Sequence, residues 1–90
     1  MRPAALVFLR DNPAAQRLAA AWPHVTRRDA APLALAAEIA ALANVARSVA
    51  AKTLPVLRAA AICRDDGTLD PLAEQYIAAQ VNTTIRSARR

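Results

Sequence analysis

The stretch "AEIAALANVARSVAAKTLPVLRAA", Ala37 to Ala60, decides the fold of this chain. Just before it and along its first part, Leu35, Ile39 and Leu42 recur at i, i+4 and i+7, one apolar stripe on a helix expected from Pro32 to Ala43. Asn44 then interrupts. Asparagine enters the left-handed conformation more readily than most residues, so it suits the position that closes a helix. Val45 follows as a small apolar plug, and a second helix is expected from about Ala46 to Ala60. Pro55 lies inside it and removes one backbone hydrogen bond, which predicts a kink or an early end.

Upstream, Pro3 opens a short apolar run from Ala4 to Leu9, too short for its periodicity to separate a helical turn from a strand. "DNP" supplies a start signal, with Asn12 as cap and Pro13 at the first helical position, for a helix running to about Ala21. Leu18 and Trp22, four residues apart, share one face. "PHVTRRDAAP", Pro23 to Pro32, reads as a connector in which Thr26 or Asp29 can cap a short turn. Downstream, Ile62–Cys63 and Thr68–Leu69 flank "DDG", a tight-hairpin signal. Asp70–Pro71 repeats the cap-plus-proline start, and the last helix is expected over about 71–87 with Leu72, Tyr76, Ile77, Val81 and Ile85 as its apolar side.

Composition bounds the function. Of the 90 residues 25 are alanine, so core volume must come from Leu, Val, Ile and the lone Phe8, Trp22 and Tyr76. The chain makes one small domain, residues 1–90, with a thin core that closely packed helices suit best. A single glycine, Gly67, excludes a phosphate-cradling loop or a dinucleotide fingerprint. One cysteine and one histidine exclude a zinc finger built from this chain alone, and no metal, cofactor or small-molecule ligand is expected. Cys63 reads as a small buried apolar residue and fits a reducing compartment. The Ala4–Leu9 run is too short to span a membrane and meets Arg10, Asp11 and Asn12, so a soluble, cytoplasmic protein is expected. The net charge of +5, with basic clusters at Arg27–Arg28 and at Arg86, Arg89 and Arg90, favours an anionic partner.

Helix, sharp Asn turn, helix, two-residue strand, tight turn: the segment from Glu38 to Gly67 resembles the DNA-binding helix-turn-helix of winged-helix bacterial regulators, the cyclic-AMP receptor type and its relatives. In that resemblance Ile39 takes a buried aliphatic position and Ala40 the small position where the helices touch. Asn44 takes the turn position usually held by Gly, Arg47 the family's Arg, and Leu57 a core-facing Leu. The resemblance implies that Ala46, Arg47, Ser48, Ala51 and Lys52 face DNA. The chain departs from the pattern at Ala46, where a Ser or Thr cap is usual, at Ala50 and Thr53, at Pro55, and at Ala61, where Gly is common before the wing. The wing itself is nearly absent.

The expected architecture is therefore mainly α, a compact helical bundle containing a helix-turn-helix with at most a rudimentary β-hairpin wing. The expected function is a small DNA-binding protein, a transcriptional regulator of bacterial or phage-like origin. Arg47 and Lys52 contact phosphate or a guanine edge, Ser48 either, and Ala51 lies beside them. Arg64 and the Arg86–Arg90 tail add backbone contacts to double-stranded DNA. The last helix supplies an interface for a homodimer. The competing expectation is a helical protein-interaction or assembly module whose charged face is simply solvated. An enzyme is not expected: Glu38 and Glu74, the only glutamates, read as surface residues without a partner at catalytic spacing.

Overall fold

Proline opens four of the five helices in the computed structural model, which describes residues 2–88 and the side chains through Ala79. The helices are α1 (Pro3–Asp11), α2 (Pro13–Ala21), α3 (Pro32–Ala43), α4 (Arg47–Ala59) and α5 (Pro71–Ala88). A proline at the first helical position gives up an N–H that has no partner there anyway, and its fixed φ presets the turn. Side-chain caps complete two of these starts. Asn12 Oδ1 accepts from the Ala15 N–H at 3.1 Å, and Asp70 Oδ1 accepts from the Leu72 N–H at 2.9 Å. The Ala4–Leu9 run is helical and continues through Arg10 to Asp11. Gln16 closes its end by donating from Nε2 to the Leu9 and Arg10 carbonyls, both at 3.0 Å.

α2 is the hub, packing against α1, α3, α4 and α5. Its small face, Ala15, Ala19 and Ala21, lets neighbouring backbones come close, while Leu18 and the following Trp22 fill the space between them. Trp22 sits in a 3₁₀ turn, Trp22–His24, and is fully buried.

α3 and α4 are bent 104° from one another across Asn44, Val45 and Ala46. That angle and turn length are those of a helix-turn-helix, in which a turn of about 3–4 residues joins helices at ~90–120°. Asn44 is left-handed, with φ 57° and ψ 49°, as its residue type predicts. The Val45 N–H reaches back to the Ala40 carbonyl at 3.0 Å, so the chain reverses without leaving that acceptor open. The same device ends α4. Ala61 is left-handed at φ 59°, the Ile62 N–H donates to the Leu57 carbonyl at 3.0 Å, and the Ala61 N–H to the Arg58 carbonyl at 3.0 Å. Leu57 and Ile62, both buried, supply the apolar contact that accompanies this motif.

The hairpin is smaller than two strands. A single antiparallel bridge pairs Cys63 with Leu69, and no strand forms among the described residues. Its turn is closed by the Gly67 N–H on the Arg64 carbonyl at 3.0 Å and by Thr68, whose N–H and hydroxyl both donate to Asp66 Oδ1. Gly67 is required by its φ of +88°; the Arg28 guanidinium packs against it, but as the end of a flexible side chain it could move aside for a Cβ.

Several expectations need correction. Leu42 is 50% exposed; α3 buries Leu35, Ala36, Ile39, Ala40 and Ala43 instead, because alanines let the helix pack by a different stripe. Pro55 does not end α4 early; it lies inside the helix on the exposed side, and α4 runs on to Ala59. On α5, Ala73 is the buried anchor with Tyr76 and Ile77 beside it, while Leu72, about 100° around the helix from Ala73, points outward. The side chains of Val81 and Ile85, the rest of the anticipated stripe, lie outside the described residues.

A non-glycine residue in the left-handed region costs roughly 1–2 kcal/mol, and glycine returns roughly 0.4–1 kcal/mol of that through its freer unfolded chain. Ala61→Gly is therefore expected to raise the thermal midpoint by a few degrees, at ~4–8 °C per kcal/mol for a domain of this size. A fall in the midpoint, measured by circular dichroism, would show that Ala61 is not strained.

Candidate nucleic-acid interface

α4 begins without a side-chain cap, since Ala46 has no oxygen to offer its first N–H groups. Its inner face is Ala50, Thr53, Leu54 and Leu57, all buried against α2 and α3. That leaves Arg47, Ser48, Ala51, Lys52, Pro55, Val56, Arg58 and Ala59 on the outside. No aspartate or glutamate occurs from Ile39 to Arg64, so this face has no acidic residue of its own.

The structure brings four of the five anticipated contact residues together. Arg47, Ser48, Ala51 and Lys52 occupy the first two turns of α4 and are all exposed. None of them makes a side-chain hydrogen bond or ion pair with another described residue. Arg47 and Lys52 do not sit on one line, however. At ~100° per residue they are about 140° apart, and exposed Val56, near 180°, lies beyond Lys52. Arg64 does not join them. It lies five residues past the far end of α4, whose 13 residues span about 20 Å at ~1.5 Å per residue, and its guanidinium lies 3.8 Å from the Asp70 carboxylate.

Arg2, Arg17 and Arg27 are likewise exposed and without an ion pair to a described residue, whereas three other arginines are committed. Arg58 pairs with Asp65 at 2.9 Å and lies over the Trp22 ring, 5.5 Å from its centre. Arg28 donates to the Val25 carbonyl at 2.9 Å. Arg10 pairs with Asp11 at 2.9 Å. The Arg27–Arg28 cluster is thus split: Arg28 is a strut for the connector and Arg27 keeps its side chain exposed. The side chains of Arg86, Arg89 and Arg90 lie outside the described residues.

Glu38, read as a surface group, has a structural task. Its carboxylate accepts from the Thr26 hydroxyl at 2.6 Å and from the Thr26 and Arg27 N–H groups at 3.0 and 3.3 Å. The Thr26 hydroxyl, ahead of the two backbone donors, holds this carboxyl below its ordinary range. Glu38 therefore stitches the connector to α3 through three neutral donors and keeps its negative charge. The sequence signal was Glu38 facing a Thr with free neighbouring N–H groups, but twelve residues separate them and no local pattern links them.

Beside the cationic face runs an apolar groove of about 490 Å³ between α3 and α4, lined by Pro32, Leu33, Ala51, Leu54 and Pro55, with Arg58 at one end. Leu33 is 82% exposed at its lip. Neither Leu33 nor Pro55 was singled out for contact from sequence, although both fall beside Ala51 once the helices are drawn. No group of three or more metal-ligating side chains occurs among the described residues, and no single helix there is long and apolar enough to cross a membrane.

No protein-family model matches the chain, no curated protein is significantly similar to it, and no solved structure matches its fold.

Cys63 is buried in the hairpin, and burial pushes its thiol up to about 12 against a partly offsetting pull from Arg58. The unfolded thiol ionises near 9.0, so the unfolded state loses its proton first, and stability should fall as pH rises from about 9 toward 12. A disulfide-exchange reagent at pH 8 is expected to leave the native thiol untouched and to titrate it in denaturant. Rapid reaction of the native protein would place Cys63 at the surface.

Proposed function

We propose that this chain is a small DNA-binding protein that lays α4 in the major groove of double-stranded DNA, in the manner of a transcriptional regulator of bacterial or phage-like type. The observation that carries the proposal is the pairing of exposed, uncommitted cations with an uncapped helix start. Arg47 and Lys52 have no ion-pair partner among the described residues, and the first N–H groups of α4 have no side-chain acceptor. Both features favour an anion, and phosphate oxygens accept from such N–H groups and cations alike. The 104° bend supports the same reading, because it lets α3 brace α4 from behind while the outer face stays open. α5 is the proposed dimer element, since two modules on paired half-sites bind specific DNA far better than one. The proposed role is binding, not catalysis, in the cytoplasm.

A second reading has an observation of its own. The groove lined by Leu33, Leu54 and Pro55 is open and apolar, which suits the apolar face of a partner helix. In that reading the protein is an interaction or assembly module, and its cations are only solvated.

Salt separates the two. Each phosphate contact contributes roughly 0.9 to the slope of log affinity against log salt. Arg47→Ala with Lys52→Ala should weaken binding to duplex DNA strongly and reduce the slope by roughly 1.8, with the circular dichroism spectrum unchanged because both side chains are exposed. Unaltered binding by the double variant, or no binding by the parent protein at low salt, would favour the interaction module.

A further inference from the structure

We infer that the ridge of α4 reads thymine methyl groups, so that the protein prefers A·T base pairs. This rests on the DNA-binding proposal and names what that surface would recognise.

The order of side chains around α4 sets the argument. Taking Arg47 as origin at ~100° per residue, Ala51 lies near 40°, Pro55 near 80°, Ser48 near 100° and Lys52 near 140°. The two free cations therefore bound the arc from Arg47 to Lys52, whose ridge is Ala51, Pro55 and Ser48, with Ala59 also inside it near 120° and exposed Val56 outside it near 180°. An α-helix about 10–12 Å across fills a major groove about 12 Å wide. In that fit the edges of the arc approach the two phosphate strands and the ridge approaches the base edges. Arg47 and Lys52 then neutralise phosphates, one on each side.

The ridge is poor in hydrogen-bonding groups. It has no Arg, Lys, Asn or Gln, the side chains that pair with a single base through two hydrogen bonds, and no Asp or Glu to accept from cytosine. Arg58, near 20° on the same arc, is held by Asp65 and stacked on Trp22. Ser48 has one hydroxyl, which accepts or donates and so discriminates weakly. What the ridge does offer is apolar surface: the Ala51 methyl, the Pro55 ring, and beside them the exposed Leu33 across the groove. The only apolar group that standard base pairs display in the major groove is the thymine C5-methyl. Apolar contact with that methyl is thus the base readout this ridge can make.

The test uses three alternating duplex polymers: poly(dA-dT), poly(dA-dU), which lacks only the methyl, and poly(dG-dC). Affinities of the full chain are measured by fluorescence anisotropy at one low salt concentration. Burying one methyl is expected to improve affinity roughly four-fold, so poly(dA-dT) should bind at least that much more tightly than poly(dA-dU). Ala51→Gln with Pro55→Gln replaces both apolar groups of the ridge with polar ones at exposed helical positions and should abolish the difference between these two polymers, whatever its effect on overall affinity. Equal binding of poly(dA-dT) and poly(dA-dU) by the parent would overturn the inference and leave DNA binding standing. A difference that persists in the double variant would also overturn it, because the methyl would then be read outside the ridge. Failure to bind any of the three would overturn the DNA-binding proposal and this inference with it.

Discussion

The Trp22 indole is the contact on which the rest of the structure depends. Its Nε1–H donates to the Arg64 carbonyl at 2.8 Å across 42 residues of chain, and the Arg58 guanidinium lies over its ring. The ring ties the end of α2 to the end of α4 and to the hairpin that follows. An alanine-rich core cannot supply this span from short side chains. Truncating a buried Trp costs roughly 3–5 kcal/mol, which is comparable with the whole stability of roughly 5–13 kcal/mol expected for a chain of this length. With α2 and the hairpin fixed on either side of it, α4 has one orientation, and its outer face becomes a fixed surface.

The same contact explains how the positive charge is sorted. Twelve basic residues read alike in sequence, but the fold spends several of them internally. Arg58 covers Trp22, Arg28 braces Gly67, and Arg64 sits beside Asp70. The acids are spent in parallel: Glu38 on the connector, Asp65 on Arg58, Asp66 on the turn, Asp70 on the start of α5. Arg47 and Lys52 remain uncommitted at the first two turns of α4.

Local chemistry was legible in the sequence wherever one residue type does one job. Asn12 and Asp70 cap helices, prolines open them, Asn44 reverses the chain, and "DDG" makes the hairpin turn. Periodicity served less well because alanine is apolar and small. It belongs equally to a core face and to a surface, so Leu42 and Leu72 were assigned to stripes that the packing does not use. The long-range contacts were not legible at all. Trp22 to Arg64, Thr26 to Glu38 and Arg28 to Gly67 each join segments far apart in the chain, and nothing local in the sequence pairs them. For the candidate face, Arg47, Ser48, Ala51 and Lys52 were implied by the helix-turn-helix resemblance, whereas the separation of Arg64 and the exposure of Leu33 required the fold.

The central claim is that α4 presents its first two turns to DNA. The most direct measurement is a ¹H–¹⁵N correlation spectrum of the full chain titrated with a duplex at low salt. Binding through α4 should shift the amides of Ala46 to Lys52 first and most, with Leu9, Ala15 and Leu18 in the buried centre little changed. Shifts confined to α1 or α5, or a spectrum that does not respond to the duplex, would contradict it.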